Sequence, residues 1–506
     1  MTNFLANLAV TNDVVNTFVW TTLGLVLLLF TGILTTVLTK FFQVTHIGHW
    51  WKNTIGSLFA KDVIGHTKDK QISPFQALCT ALAATIGVGN IAGVATAISI
   101  GGPGAVFWMW VAAFLGMMTN YSENVLGIFY RRKNADGEWS GGPMYYLEEG
   151  LGGYKGFKVI GKILAILFSI FCILASFGIG AMGQINKIVL NMVSAFDIPA
   201  LSGKVLYEGV SLYHVIIGVV LLIIAALIIV GGLKRIANFA EKVVPVMVVL
   251  FVVGSLIIIG KNYAQIGAAF ASIFKYAFNV PAVVGGAGGT VVATIITQGC
   301  KRGVFSNEAG LGSSVMVHSS SNVKEPVRQG LWGIFEVFAD TMIVCTMTAL
   351  VVLTSGFIDL ETGYLAEGVV ADTLVAKAFS TVFGPAGQGF VAIAILLFAF
   401  TTVLGWDVYG TKAWEYLFGT KSKLVYKLIH LVTIMCGALL TSSLAWDISD
   451  TFNGLMMLPN LIGVIALSGL VMKITRNYVD RKLKNKDIAP MLSIIPEIQK
   501  EMEEDL

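Results

Sequence analysis

The chain has 506 residues, of which 56% are hydrophobic and only 13% are charged. A soluble protein of this length would carry roughly 25% charged residues, so the composition excludes an ordinary soluble protein and indicates a membrane protein. The net charge of +4 at pH 7 is too small to indicate a nucleic-acid partner.

The apolar residues come in runs of about 20, which is long enough to cross ~30 Å of hydrocarbon. The first 39 residues contain no Lys or Arg. We therefore expect no cleavable signal peptide, and we interpret the first run as a true membrane span. The sequence predicts eleven spans, at 14–41, 73–100, 104–131, 159–193, 213–233, 236–260, 281–300, 326–355, 386–410, 424–445 and 452–474.

The basic residues collect in alternate connections of this scheme. The basic stretches are "RRKNADGEW", "LKRIANFAEK", "CKRG", "GTKSKLVYK" and "KITRNYVDRKLKNK". Cytoplasmic loops carry an excess of Lys and Arg, so this asymmetry predicts an outside N-terminus and a cytoplasmic C-terminus. We expect a multi-pass protein of the cell membrane whose partners are the lipid bilayer and a small substrate, with a solvated cytoplasmic tail at 476–506.

The ten spans after the first divide into two sets of five, and an odd number of spans makes two copies face opposite ways. We predict an N-terminal segment at 1–72, a first repeat at 73–262 and a second repeat at 263–475. Each repeat opens with a glycine-interrupted span, "TIGVGNIAG" in one and "VVGGAGGT" in the other. Matching interrupted spans in two halves point to a transporter's binding site. The alternative is that both are close-packing helix faces.

Four stretches carry a family resemblance that covers the chain from about residue 14 to 476. They are "FQALCTALAATIGVGNIAGVATAISIGGPGAVFWMWV", "GGPMYYLEEGLG", "RGVFSNEAGLGSS" and "PVRQGLWGIFEVFADTMIVCTMTALVVLTSG". The sequence resembles the alanine/glycine:cation symporter family. The resemblance implies an all-α membrane protein with a LeuT-type five-plus-five inverted repeat and one extra N-terminal span. It also implies uptake of small neutral amino acids driven by sodium, or by protons as the alternative.

An interrupted helix frees backbone amides on one side of the break and carbonyls on the other. In lipid these groups must find partners, so a break is tolerated only beside a cavity. Amides at a half-helix N-terminus favour a carboxylate, and freed carbonyls favour a cation. The segment "GVGN" also matches a Gly-x-Gly-Asn turn that the larger superfamily carries in its first broken helix. We therefore predict substrate contacts at Thr85, Gly87, Gly89 and Asn90, and a hydroxyl contact from Thr290 in the second interruption.

Further contacts are predicted on two other spans. Gln184 lies among small residues on the span that lines the pocket in this fold, and Trp406 lies one turn beyond Thr402, where either could contact substrate. The resemblance implies a sodium site made by the carbonyls of Ala83, Ile86 and Phe398 with the hydroxyls of Thr401 and Thr402, and hard oxygen ligands suit an alkali cation. The alternatives are interhelical hydrogen bonds for Gln184 and Asn90, a core position for Trp406, and intrahelical bonding for the threonines.

The remaining polar groups within the spans are few. Asp340 could be a proton carrier or cation partner, or could pair with a polar group between helices. We interpret "FSNEAGLGSS" at 305–314 as a gate or structural packing more than a substrate contact. The sequence has no nucleophile–base constellation or metal cluster, so we expect no enzyme activity, no organic cofactor and no obligate protein partner. A channel would need a continuous polar pore, which the sequence does not suggest.

Overall fold

The computed structural model describes residues 2–58, 71–278, 288–440 and 444–504, and excludes the side chains of 2–6, 288–291 and 444–446. The N-terminal segment and the following spans up to residue 261 form the first part of the helical bundle. Its elements are α1 (Thr2–Thr17), α2 (Gly24–Leu38), α3 (Phe42–Thr45), α4 (Ile47–Asn53), α5 (Pro74–Thr85), α6 (Val94–Gly101), α7 (Gly104–Phe129), β1 (Arg132–Lys133), β2 (Trp139–Ser140), α8 (Pro143–Tyr145), α9 (Lys158–Phe177), α10 (Gly183–Ala195), α11 (Pro199–Ser202), β3 (Val205–Tyr207), β4 (Val210–Ser211), α12 (Leu212–Ile229) and α13 (Gly232–Lys261).

The second part begins with a short helix and ends with the tail. Its elements are α14 (Ile266–Tyr276), α15 (Gly288–Asn307), α16 (Val315–His318), α17 (Pro326–Val337), α18 (Thr346–Thr354), α19 (Ala371–Phe383), α20 (Pro385–Phe418), α21 (Lys423–Ala438), α22 (Leu444–Lys482) and α23 (Pro496–Glu504). The strands form two antiparallel hairpins, β1–β2 and β3–β4.

Five π-helical turns adjoin α-helices of the described residues. These turns are Phe18–Leu23, Gly89–Gly93, Tyr146–Leu151, Gly178–Met182 and Phe338–Cys345. A π-turn inserts one residue into the helical ladder and is frequent at functional sites. The turns at Gly89–Gly93 and Gly178–Met182 each supply residues to the central cavity described below.

Helix α5 begins where the sequence carries a capping box. Ser73 accepts a hydrogen bond from the Gln76 amide at 3.1 Å, and the Gln76 side chain accepts one from the Ser73 amide at 3.1 Å. Pro74 occupies the first helical position, where its missing N–H costs nothing. The start of α5 is therefore fixed locally, and every residue of the helix except the half-buried Phe75 is buried.

Seven helices of the described residues are long and apolar enough to cross a membrane. Two shorter helical segments, Pro74–Thr85 and Gly89–Gly101, meet at an angle of 53°. If they form one broken span, the described residues contain eight candidate membrane spans. The eleven-span count and the inverted repeat therefore remain predictions. The chain is a multi-pass membrane protein by length and composition of these helices.

Three expectations from the sequence need correction or restriction. The basic residues of "LKRIANFAEK" lie within α13, and those of "CKRG", Lys301 and Arg302, lie within α15, so neither stretch is a connecting loop. Residues 279–287, which include most of "VVGGAGGT", lie outside the described residues, and Gly288 to Thr290 form the first turn of α15. The structure does describe an interruption further along the same segment, between α15 and α16.

The tail also differs from the expected solvated segment. Leu492, Ile498 and Met502 are buried against Trp139 of the β1–β2 hairpin. The amide of Ile494 donates to the carbonyl of Phe129 at 3.0 Å. The tail therefore docks on the end of α7 and on the hairpin that follows it.

Candidate functional site

The first interruption separates α5 from the Gly89–Gly93 turn. Ile86 leaves the helical conformation with φ −77° and ψ 88°. The amide of Gly87 donates to Asn90 Oδ1 at 2.9 Å, and the amide of Val88 donates to Gln184 Oε1 at 3.3 Å. Two side-chain amides thus take up backbone donors that a continuous helix would have paired internally.

The second interruption lies between Asn307 and Val315. Glu308, Gly310 and Gly312 have φ values of 56°, 91° and 75°, so the chain turns out of the helix in the left-handed region. The side chain of Asn460 on α22 donates to the carbonyl of Gly310 at 2.8 Å. Left-handed backbone favours glycine and is unusual for a glutamate, which indicates that the surrounding structure imposes this conformation.

A small cavity lies where the two interruptions approach each other. Its volume is about 10 Å³, close to what a single water molecule needs, so the site is almost closed in this structure. Its walls come from both interruptions and from the helices around them. The lining residues are Ala84, Thr85, Gly87, Gly89, Ile179, Gln184, Phe305, Glu308, Thr402, Trp406 and Asn453.

Two buried oxygen atoms on the cavity wall have no hydrogen-bond partner within the described residues. They are Thr85 Oγ1 and Asn453 Oδ1. An unsatisfied buried polar atom costs about 1–3 kcal/mol. Both atoms can accept a hydrogen bond, and the carboxylate of Glu308, which Ser313 Oγ approaches at 2.6 Å, lies on the same wall. The wall is therefore suited to a ligand that brings a positively charged donor.

Glycine is required at two positions beside the cavity. A Cβ on Gly87 would lie 2.6 Å from Thr402 Oγ1 and 3.2 Å from Gln184 Oε1. A Cβ on Gly89 would lie 2.9 Å from the ring of Phe305, whereas a Cβ on Gly93 would meet nothing within 4 Å. Gly87 and Gly89 therefore allow the backbone and the facing side chains to approach closely.

Oxygen atoms converge on Thr402 from two helices. Thr402 Oγ1 lies 3.1 Å from the carbonyl oxygen of Ala83, 3.5 Å from that of Ile86 and 3.0 Å from that of Phe398. A hydroxyl has one proton to donate, so it cannot satisfy three carbonyls at once. Thr401 Oγ1 lies 2.9 Å from the same Phe398 carbonyl. These hard oxygen atoms form a donor set that fits an alkali cation.

A second polar cluster surrounds the fully buried Asp340. Asn90 Nδ2 donates to Asp340 Oδ1 at 2.7 Å, and Ser306 Oγ donates to Asp340 Oδ2 at 2.6 Å. Thr341 Oγ1 donates to Oδ2 at 2.8 Å. Within the described ranges no Lys or Arg lies in ion-pair contact with this carboxylate. Asn90 therefore links the first interruption to an acidic group on the neighbouring helix.

The structure brings most of the predicted substrate residues to one cavity. Thr85, Gly87, Gly89, Gln184, Thr402 and Trp406 line it, whereas Asn90 lies behind the wall and braces the break. Of the predicted sodium ligands, the carbonyls of Ala83, Ile86 and Phe398 lie around the Thr402 hydroxyl, whereas the Thr401 hydroxyl bonds to carbonyls of its own helix. The side chain of Thr290 lies outside the described set. These assignments remain predictions, since geometry alone does not test binding.

Sequence reasoning missed five lining residues, which are Ala84, Ile179, Phe305, Glu308 and Asn453. The stretch at 305–314 was interpreted as a gate or as packing, but Phe305 and Glu308 lie on the cavity wall. The sequence did hold a signal for this position: Glu308 is followed closely by the two glycines of "GLG". This spacing of glycines matches "GVG" of the first interruption more closely than "GGAGGT" does.

Comparison with known proteins agrees with this arrangement. The sequence model of the sodium:alanine symporter family matches residues 5–491. The sodium/alanine symporter AgcS of Methanococcus maripaludis is 42% identical over 466 residues, which are 92% of this chain and 96% of that protein. A putative sodium/proton-dependent alanine carrier protein of Bacillus subtilis, YrbD, is 36% identical over 498 residues, covering 96% and 94% of the two chains.

The fold also has a solved counterpart. The crystal structure of MhsT in complex with L-phenylalanine superposes with a TM-score of 0.50 and covers 81% of this chain and 99% of that chain at 14% identity. Similarity at this identity concerns the fold alone, and it indicates a LeuT-like helical arrangement. The interrupted helices, the small central cavity and the match along almost the whole sequence lead to one assignment: the chain belongs to the sodium:alanine symporter family, and is a transporter and not an enzyme.

Proposed function

We propose that this protein is a sodium-coupled symporter that takes small neutral amino acids, alanine and glycine, into the cell by alternating access. The single observation that carries the proposal is the oxygen cluster around Thr402. It contains the carbonyls of Ala83 and Ile86, and Ile86 adjoins Gly87 on the cavity wall. A cation bound there and a substrate in the cavity would share one helix interruption.

The cavity wall offers complementary groups for both ends of a zwitterion. The Val88 amide, which donates to Gln184 in this structure, would donate to a substrate carboxylate at the start of the second half-helix. The substrate ammonium would face Thr85 Oγ1, Asn453 Oδ1 and the carboxylate of Glu308. Both ends are then paired, which offsets the cost of removing a zwitterion from water.

The close packing of the cavity wall supports a small side chain, and the wall must move apart to admit any amino acid. The rings of Phe305 and Trp406 and the side chain of Ile179 complete the apolar part of the wall. A Cβ on Gly180 would lie 2.6 Å from Trp406, so this ring is already in close contact behind the cavity. Alanine, glycine or serine would therefore fit better than leucine.

Coupling follows from the shared interruption. Thr402 lies on α20, and Ala83 and Ile86 lie at the end of α5, so a bound cation would draw the two helices together. When the two helices approach each other, the cavity narrows beside Gly87, where the substrate would also bind. Each ligand then favours the conformation that binds the other, which is a reciprocal coupling free energy.

Uptake of labelled alanine by proteoliposomes tests the proposal. Uptake should be concentrative when sodium is imposed outside, and should fall to the passive rate with choline in its place. Uptake that is insensitive to the sodium gradient would refute sodium coupling. A panel of competing amino acids in both buffers would then rank substrate size.

Proton coupling is a second candidate because Asp340 is a buried carboxylate without a basic partner in ion-pair contact among the described residues. Under this alternative an imposed pH gradient would drive uptake in choline buffer, and Asp340→Asn would abolish that uptake. Under the sodium proposal the pH gradient alone drives nothing, and Asp340→Asn weakens sodium dependence through Asn90.

A further inference from the structure

A buried ion pair joins two helices one turn away from the cavity. Lys301 Nζ on α15 lies 2.7 Å from Asp450 Oδ2 on α22, and their side chains are only 14% and 10% exposed. Lys301 precedes the cavity residue Phe305 by four positions, and Asp450 precedes Asn453 by three. Residues at these spacings lie on the same helix face, so the pair covers the cavity on the side where α15 and α22 begin.

The first helix of the chain, which lies before the predicted repeats, contacts both members of this pair. Asn16 Nδ2 donates to Asp450 Oδ2 at 3.0 Å, and Asn16 Oδ1 accepts from Lys301 Nζ at 3.2 Å. Asn16 thus bridges the anion and the cation with its two amide atoms. It also donates to Thr451 Oγ1 at 3.0 Å, which fixes the orientation of its amide against α22.

Trp20, one turn further along the same face, completes the enclosure. Its indole N–H donates to the backbone carbonyl of Asp450 at 3.2 Å, and the ammonium of Lys301 lies 5.3 Å from the centre of its ring. The ring is buried and shields the ion pair from water on one side. Weak hydration makes an ion pair of good geometry stronger than a solvated surface pair.

A second basic residue lies on the cavity side of the pair. The guanidinium of Arg302 lies 5.8 Å from the centre of the Phe305 ring, and the negative charges of Asp447 and Asp450 act on it. Two cations on α15 thus face two carboxylates on α22 above one wall of the cavity. Separating the two helices would break all of these attractions together.

We propose that the first helix is the third component of an ionic lock that closes the cavity on this side, with Asn16 and Trp20 as positioning residues for Lys301 and Asp450. The inference rests on the proposed alternating-access transport. Admitting a substrate from this side requires α15 and α22 to separate, so the ion pair opens in each cycle. Asn16 bonds to both partners only while they are together, and it therefore stabilises the closed state.

A reporter cysteine on the cavity wall tests the lock without any substrate. Cys436, the one exposed cysteine of the described residues, is replaced by serine and Asn453→Cys is introduced as the reporter. The rate at which a membrane-impermeant thiol reagent modifies Cys at 453 is measured from each side of the membrane. Asn16→Ala, Lys301→Met and the double variant are compared with Thr21→Ala, whose exposed hydroxyl donates to the carbonyl of Thr17.

The proposed lock leads us to expect that the effects of the substitutions on the modification rate are not additive. Asn16→Ala and Lys301→Met should each speed modification from the side of α1 by at least about threefold, and the double variant should react no faster than Lys301→Met alone. Thr21→Ala should match the background. Trp20→Phe, which keeps an aromatic ring but loses the indole N–H, should shift the rate in the same direction. This variant replaces Asn16→Ala if Asn16→Ala does not fold.

Unchanged rates in folded Asn16→Ala and Trp20→Phe would overturn the lock, and so would rates that multiply in the double variant, since a purely structural role gives independent effects. Alanine uptake by the Cys436→Ser protein with native Asn453 is measured in parallel. Absent uptake with the predicted thiol pattern refutes the proposed function and leaves the lock standing. Normal uptake together with unchanged rates of thiol modification refutes the lock and leaves the proposed function standing.

Discussion

The two helix interruptions reach the same cavity but are built differently. The first is short and exposes mainly backbone groups, which the side chains of Asn90 and Gln184 take up. The second uses three left-handed residues, is held by Asn460 from α22, and carries the carboxylate of Glu308 to the cavity wall. One interruption thus offers dipoles and the other a charge, which is the division that a zwitterion requires.

The largest effect is expected from a substitution that places a side chain in the close-packed first interruption. Gly87→Ala would bring a methyl group 2.6 Å from Thr402 Oγ1, and overpacking of about 1–3 kcal/mol there corresponds to a loss of up to about 100-fold in transport efficiency. Gly93→Ala, in the adjoining turn, meets nothing and is the matched control. Alanine uptake by proteoliposomes measures both. Equal activity of the two variants would show that the close approach at Gly87 is irrelevant.

The next largest effect is expected from a substitution that removes the charge from the second interruption. Glu308→Gln should weaken the apparent affinity for alanine by about 30-fold, because losing one member of a buried charge pair costs about 2–5 kcal/mol. Glu308→Asp keeps the charge and should retain part of the affinity. The half-saturating alanine concentration is the measurement. An unchanged value in Glu308→Gln would remove this residue from the substrate site and leave the second interruption as packing.

A smaller effect distinguishes two adjacent hydroxyls at the first interruption. Thr402 reaches across to the carbonyl of Ala83, whereas the hydroxyl of Thr401 bonds to carbonyls of its own helix. Thr402→Ala should raise the sodium concentration for half-maximal uptake by about tenfold, and Thr401→Ala by less than about threefold, in line with the 1.4 kcal/mol that one tenfold step represents. Equal shifts would contradict the assignment of Thr402 as the bridging ligand.

The smallest effect tests a brace that lies just beyond the second interruption. The guanidinium of Arg131 stacks on Trp139 at 4.1 Å and donates to the carbonyls of Ser319 and Ser321, just after α16. The tail covers Trp139 through the buried Leu492. Leu492→Ser should change the maximal uptake rate by about twofold, the size expected of a distant residue that acts through packing.

The control for this brace is Lys500→Ala, whose side chain is 80% exposed on the same tail helix. The half-activating sodium concentration should stay constant in both variants, because among the described residues no hydrogen bond of the tail reaches the first interruption. A large sodium shift in Leu492→Ser would show that the two interruptions are not separable in this way.

The sequence predicted the first interruption well because the residues of "GVGN" themselves explain a break. The glycines allow the backbone to approach a partner closely, and the asparagine amide can pair with the freed backbone groups. The contact of Thr402 with Ala83 joins residues 319 positions apart, and only the family resemblance could suggest it. Glu308 was missed because a polar residue after an apolar run looks like the end of a span. Its left-handed conformation depends on neighbours that no local pattern reveals.

Two other errors have the same cause. Lys301 and Arg302 resemble a cytoplasmic loop when they are considered alone, but Asp450 and Asn16 supply buried partners that let charges lie within a helix. The tail resembles a solvated segment because it is strongly charged. Ile498 and Met502, four residues apart, form a narrow apolar stripe that becomes meaningful only when Trp139 lies opposite.

Equilibrium binding of labelled alanine to the purified protein tests most directly whether both interruptions form one site for substrate and cation. We expect saturable binding that requires sodium, is weakened by about 30-fold in Glu308→Gln and by up to about 100-fold in Gly87→Ala, and is retained in Gly93→Ala. Binding of equal affinity in choline, or unweakened binding in both Gly87→Ala and Glu308→Gln, would contradict the account.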